Sequence, residues 1–227
     1  MLIQSIMYPD FTTLDLIGAQ QTLSMLPNAR IECVAAEAGP VMTDAGVALI
    51  ADKSFKTASR SPDIILVPGG RASSIDVLED STMVDFVARQ GADATWVCSV
   101  CSGALLLGMA GLLEGYRAAS HWSVIDTLAA FGAIPTHQRV VIDRNRATGG
   151  GVTAGVDFGL TLAGVIAGED YARILELVIE YNPQPPFGTG HPTLADTKTM
   201  EIARPIIEDG VSTARIWELA KTRRGAA

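Results

Sequence analysis

Short apolar runs alternate along this chain with longer segments in which apolar residues recur every three or four positions. The first pattern predicts strands and the second amphipathic helices. A first strand is expected over residues 2–7. A turn at Tyr8-Pro9-Asp10-Phe11 and a helix that Thr12 or Thr13 can cap follow, the helix running to about Leu26 before Pro27-Asn28. Residues 30–36 read as a second strand. The turn signals Gly39-Pro40 and Asp44-Ala45-Gly46 frame a hairpin of 41–43 and 47–50. The unbroken Asp63-Ile64-Ile65-Leu66-Val67 suits a strand covered on both faces, stopping at Pro68-Gly69-Gly70. Helical patterns at 74–78 and 82–90, a buried strand at 95–98 and a small-residue helix at 102–111 complete the first half.

In the second half a short strand ends at His121, residues 123–131 are helical, and 133–135, 139–143 and 146–148 are strand-like, with Arg144-Asn145 as a tight turn. Gly149-Gly150-Gly151 leads into a long helix at 153–167, and another covers 169–181. Residues 182–190 form a Pro/Gly-rich loop, and 194–224 read as a helical tail broken at Pro205 and Gly210. Alternating strands and helices predict an α/β fold, with a mostly parallel central sheet and helices on both faces. No internal repeat is visible. One domain is expected over 1–190, with a helical extension over 191–227 packed on the body or on a second subunit.

Composition narrows the picture. With 227 residues, 48% hydrophobic and 19% charged, the chain has material for one large core. A net charge of −8, from 17 basic and 25 acidic residues, argues against nucleic acid or an anionic membrane as partner. The N-terminus lacks a basic region and reads as a strand, not a signal peptide, and no apolar segment reaches spanning length. Cys33, Cys98 and Cys101 have no framework spacing, so a reducing, cytoplasmic setting is expected. Cys98-x-x-Cys101 fits a redox or metal template. However, Cys98 lies inside a strand and Cys101 at its exit, no second Cys/His pair follows, and no metal is expected.

The chemistry concentrates at Ser99-Val100-Cys101-Ser102-Gly103, where a strand turns into a helix. A helix N-terminus behind the cysteine offers N–H groups and positive potential, which favour the thiolate. The elbow of G-x-S-x-G hydrolases follows the same logic. Ligands of such sheets gather at the carboxyl ends of the strands. Those ends carry Asp15, Gly69-Gly70, Cys101-Ser102 and His121. Cys101 is the nucleophile candidate, and Cys98 and Cys33 read as core. The N–H groups of Gly70 and Ser102 can hold an oxyanion or a water. Asp15 is either a first-turn acid favoured by the helix dipole or a general acid/base whose pKa a nearby thiolate raises. His121 either activates Cys101 or is a fixed structural histidine. Asp126 and Asp157 are minor candidates for orienting acids, and His137 and His191 read as solvated.

These residues, read together, resemble the ThiJ/PfpI superfamily, which is class I glutamine-amidotransferase-like. The resemblance is carried by Tyr8-Pro9 through Leu14-Asp15-Leu16-Ile17-Gly18, Val67-Pro68-Gly69-Gly70, Val100-Cys101-Ser102-Gly103-Ala104, Gly111-Leu112-Leu113, His121-Trp122 and Thr148 through Asp157. Asp15, where many members carry glutamate, and Tyr181-Asn182-Pro183-Gln184-Pro185-Pro186-Phe187 resemble its isonitrile hydratase branch. That resemblance implies a flavodoxin-like three-layer sandwich with a nucleophile elbow, a homodimer, and no cofactor. It implies hydration of an isocyanide to an N-substituted formamide: Cys101 attacks the terminal carbon, Asp15 supplies the proton and assists water, and Gly70 and Ser102 hold charge or water. In two places the chain departs from that branch, with Ser102 in place of threonine and a bulkier Arg71-Ala72-Ser73-Ser74. The same superfamily leaves other expectations open: an amidase or glyoxalase-like enzyme using Cys101 with His121, or a cysteine redox sensor.

Overall fold

The structure is a computed structural model and describes residues 1–225, with side-chain environments through Arg223. The strands are β1 (Leu2–Ile6), β2 (Arg30–Ala35), β3 (Gly39–Met42), β4 (Ala48–Ala51), β5 (Lys53–Ser54), β6 (Ile64–Val67), β7 (Trp96–Val100), β8 (Arg117–Ala118), β9 (Ile134–Pro135), β10 (Val140–Asp143) and β11 (Arg146–Gly149). The helices are α1 (Thr13–Leu23), α2 (Ser73–Asp76), α3 (Ser81–Asp93), α4 (Gly103–Met109), α5 (Ala154–Ala167), α6 (Glu169–Val178), α7 (Thr197–Glu208) and α8 (Thr213–Gly225).

Seven strands form the main sheet in the order β10-β11-β7-β6-β1-β2-β5. All its pairings are parallel except β10 with β11, which the Arg144-Asn145 turn joins antiparallel. β6 is buried at every residue, as its uninterrupted apolar run requires. From β1 the chain moves to β2 on one side and later to β6 on the other. The β1/β6 boundary is therefore the switch point, where the crevice of an open sheet lies. α1, α5 and α6 pack on one face of the sheet; α3, α4 and the 3-10 helix Ile125–Phe131 pack on the other.

Glycines set the α1–α5 spacing. A Cβ on Gly155 would come within 3.1 Å of the Ala19 nitrogen, and one on Gly159 would overlap Thr22 Oγ1. This close approach presses α1, with Asp15 in its first turn, against the sheet's carboxyl edge.

Several expectations need correcting. The Thr12 side chain makes no cap. Asp44, from the β3–β4 hairpin, accepts from the Thr13 N–H at 3.0 Å and from its hydroxyl at 3.3 Å. The strand expected to end at His121 covers only Arg117–Ala118 and pairs with β9 outside the main sheet. The next residue is held by β11, whose Thr148 Oγ1 accepts from the Ala119 N–H at 2.7 Å. The 95–98 strand runs on to Val100, and the 74–78 helix stops at Asp76 and continues as a 3-10 turn. β5 was not expected; at two residues it is too short to show a period.

Pro205 does not break the tail. It sits in the last turn of α7 on an exposed side, where water can serve the carbonyl it leaves unpaired. The break falls at Gly210 alone. α8 buries Ile216 and Ala220, and its Arg215 pairs with Asp76 at 2.6 Å and Glu79 at 2.8 Å. The final two residues of the 191–227 extension lie outside the described residues. Among the described residues, no helix is long and apolar enough to cross a membrane.

Candidate active site

Cys101 leaves β7 with a φ of 60°, in the left-handed region that a residue with a Cβ rarely adopts. Holding it there costs about 1–3 kcal/mol and needs surrounding structure to impose it. Three hydrogen bonds do so. Its N–H donates to Gly149 O at 3.1 Å and Gly150 O at 2.9 Å, and its carbonyl accepts from Ser120 Oγ at 2.8 Å. Gly103 then lets α4 start against the end of β6, since a Cβ there would overlap Val67 O. The elbow expected from sequence is thus a strained turn clamped by the β11–α5 loop.

Asp15 enters from α1 and is fully buried. Its Oδ2 accepts from the Gly69 N–H at 3.0 Å, while Oδ1 has no protein partner of ordinary hydrogen-bond geometry. The carboxyl lies beside the Cys101 thiol, close enough for each to shift the ionisation of the other. Burial raises the Asp15 pKa to about 7, against the pull of the thiol and of the Gly69 N–H; the Asp44 charge adds to the rise. Burial also raises the Cys101 thiol well above its ordinary value, and the Asp15 charge adds to that. The N–H groups of Ser102 and Val152, directed at the sulfur, pull the other way. The helix N-terminus was expected to make the thiolate the resting form; in this buried setting desolvation outweighs it. Two adjoining buried acids cannot both ionise cheaply, so once Asp15 ionises near pH 7 the thiol keeps its proton.

Ser102 Oγ accepts from the Gly70 N–H at 3.0 Å and donates to Gly70 O at 2.8 Å. The Gly70 N–H, singled out for an oxyanion or water, is therefore engaged by Ser102. Gly69 makes the close backbone approach that the Gly69-Gly70 pair allows: a Cβ there would lie 2.6 Å from Ser102 N and 2.8 Å from Asp15 Oδ2. Tyr8, which donates to Pro68 O at 2.9 Å, backs the same loop.

His121 lines the same cavity but makes no hydrogen bond to Cys101 or Asp15 among the described residues. Its Nδ1 is taken by Ser123, whose N–H donates at 3.3 Å and whose Oγ lies at 2.7 Å. An accepting Nδ1 leaves the proton on Nε2. Burial lowers the His121 pKa, so the ring is neutral at physiological pH. Asp126 pairs with His137, and Asp157 with Arg139 and Tyr181, so neither orients His121. Cys98 is buried with its thiol pushed far up, and all three thiols are free. No group of three or more metal-ligating side chains occurs among the described residues.

The cavity above Cys101 has a volume of about 240 Å³. Thr12, Gly70, Arg71, Cys101, Ser102, His121, Ser123, Val124 and Val152 form its floor and walls, and Ile206, Ile207 and Val211 reach it from the C-terminal extension. A larger, open groove of about 640 Å³ runs between α5 and α6, but contains no nucleophile and is lined by none of these residues. Sequence reading missed Val152 and the three residues of the extension. The Gly149-Gly150-Gly151 run was the available signal for Val152, since it lets the backbone approach the thiol. Nothing in the sequence marks which turn of a tail faces a cavity.

The chain is similar over most of its length to known proteins. The DJ-1/PfpI family model matches residues 4–164. An isonitrile hydratase of Pseudomonas putida is 42% identical over 199 residues, covering 88% of this chain and 86% of that protein. The crystal structure of a ThiJ/PfpI family protein from Pseudomonas syringae superposes with a TM-score of 0.92 at 41% identity, covering 96% of this chain and 90% of the other. A DJ-1 superfamily protein from Salmonella typhimurium gives a TM-score of 0.71 at 26% identity, over 81% of this chain and 99% of the other.

The raised Asp15 pKa has a stability consequence with a definite sign. Unfolded, Asp15 loses its proton near the ordinary carboxyl value of 3.8; folded, it keeps it to about 7. Between those values the native state binds more protons, so stability falls as pH rises. At about 1.4 kcal/mol per pKa unit the effect is of the order of a few kcal/mol. Urea unfolding at pH 4.5 and pH 8 should show Asp15→Asn gaining stability relative to wild type at the higher pH. An identical pH slope in the two proteins would remove the basis for a raised Asp15.

Proposed function

Because the chain belongs to the DJ-1/PfpI family, we propose that its buried cysteine serves the reaction of its hydratase relative: addition of water to an isocyanide, giving an N-substituted formamide. The observation that carries the reading is a buried Cys101 thiol set beside a fully buried Asp15 carboxyl whose pKa is raised to about 7. A proton acceptor and donor poised near the working pH, in reach of a nucleophile, is what this addition needs.

The steps balance as follows. The sulfur of Cys101 bonds to the terminal isocyanide carbon while ionised Asp15 takes the thiol proton. Protonated Asp15 returns that proton to the same carbon, leaving a thioimidate, R–N=CH–S. Water adds to this carbon with Asp15 accepting a proton. Protonated Asp15 passes that proton to the nitrogen; collapse of the adduct then breaks the C–S bond, its hydroxyl proton goes to the leaving sulfur, and the formamide leaves with the thiol and the Asp15 carboxylate restored. The N–H groups of Ser102 and Val152 stabilise negative charge on sulfur as the C–S bond forms and breaks. Ser102 Oγ keeps the Gly70 loop in register beside the thiol. His121 is left without a proton-transfer role, because its ring makes no hydrogen bond to Cys101 or Asp15 among the described residues. That disfavours a Cys–His amidase or glyoxalase-like reading.

The same reading makes the chain a homodimer of the reducing cytoplasm, with residues 1–190 as catalytic body and 191–227 as extension. Three free thiols suit that compartment. Val165, Ile174, Leu177 and Val178 leave an apolar outer face on α5 and α6, Leu177 being 81% exposed, which a partner copy would cover. Sedimentation should give twice the chain mass; a monomer at micromolar concentration would refute this part.

Purified protein should convert cyclohexyl isocyanide to N-cyclohexylformamide, with activity rising with pH through about 7 as Asp15 ionises. Cys101→Ala should abolish turnover, and Asp15→Asn should lower kcat by roughly 10²–10⁴-fold, while His121→Ala should cost far less. Full activity in Cys101→Ala, or no formamide from wild type, would sink the proposal.

A further inference from the structure

α7 buries none of its residues: Ile202 is 59% and Ile206 58% exposed. A helix with no buried face adds little hydrophobic stabilisation to the fold. It is nevertheless held in place at its C-terminal end. The Arg71 guanidinium donates through Nη2 to Ile206 O at 3.0 Å, satisfying a carbonyl in the helix's last turn. Gly210 lies flat on the same guanidinium, where a Cβ would come within 2.7 Å of Arg71 Nε. Just beyond, Arg215 ties α8 to Asp76 and Glu79. Each attachment joins the extension to the segment that follows Gly69-Gly70, at the mouth of the site. What the fixed segment then presents inward is Ile206, Ile207 and Val211, all lining the cavity above Cys101.

We propose that Ile206, Ile207 and Val211 form the substrate-selecting roof of the site, and that the isocyanides it takes carry a compact, uncharged, apolar R group packed against them. This rests on the hydratase reading above. With the isocyano carbon at Cys101 on the floor, the R group has one direction to extend, toward the roof. Val124 and Val152 continue the apolar wall between the two. The cavity of about 240 Å³ falls below the roughly 300–1,000 Å³ of pockets for drug-sized ligands, which sets the upper size. Arg71, the charged residue of the lining, spends a donor on the Ile206 carbonyl and acts here as the positioning residue of the roof.

The test compares kcat/KM for methyl, cyclohexyl and 1-adamantyl isocyanide in wild type, Ile207→Ala/Val211→Ala, and Val211→Phe. Loss of apolar contact should lower the cyclohexyl-to-methyl ratio about tenfold in the double variant, and the enlarged space should raise the adamantyl-to-cyclohexyl ratio. Val211→Phe should lower that second ratio. Lys198→Ala, on the exposed surface of α7, should leave both ratios at wild-type values. Ratios unchanged in all variants, or lowered equally for every substrate, would overturn the roof. If wild type hydrates none of the three, the hydratase reading fails instead, and binding of N-cyclohexylformamide by calorimetry decides the roof. Weaker binding in the double variant then supports it, and equal binding overturns it.

Discussion

A carboxyl and a thiol buried against each other cannot both carry charge, and the site is built around that constraint. Burial raises both groups, and the Asp15 charge raises the thiol further, while the thiol itself favours the carboxylate. Above about pH 7 the pair therefore keeps one proton, held on sulfur beside a carboxylate that can take it as the sulfur attacks. In the proposed hydration that proton is the one delivered to carbon. The surrounding backbone serves this end: Gly69 donates to the carboxyl, and Ser102 and Val152 face the sulfur. No flexible cation is needed near the pair, and none contacts it among the described residues.

The fold supplies the juxtaposition. Asp15 and Cys101 are far apart in sequence and belong to opposite helical layers, α1 and α4, which meet only at the sheet's carboxyl edge. The β1/β6 switch point opens the crevice there. The glycine-lined α1–α5 contact fixes how deep Asp15 sits, and the β11–α5 loop forces Cys101 into its left-handed turn. Removing any of these would move one partner relative to the other.

Much of this was legible in the sequence, for identifiable reasons. The parallel sheet could be read because its central strands are buried on both faces and so are continuously apolar, as in Ile64-Ile65-Leu66-Val67. Cys101 and Asp15 could be read because strand ends and first helical turns leave local signatures. Less legible were features set by contact between distant segments. The cap of α1 comes from Asp44 on a separate hairpin, the Gly70 N–H is taken by Ser102, and desolvation reverses the thiolate preference a helix N-terminus would give. The C-terminal roof was invisible for the same reason: helical periodicity shows that a face is apolar, not what it covers.

The most direct test is the ionisation of Cys101 itself, followed as thiolate ultraviolet absorbance against pH, with Cys101→Ala subtracted to remove Cys33 and Cys98. If the buried pair shares a proton, the thiol of Asp15→Asn should ionise at a clearly lower pH than in wild type, because the neighbouring negative charge is gone. An unchanged or higher ionisation pH in Asp15→Asn would contradict the coupling on which the account rests.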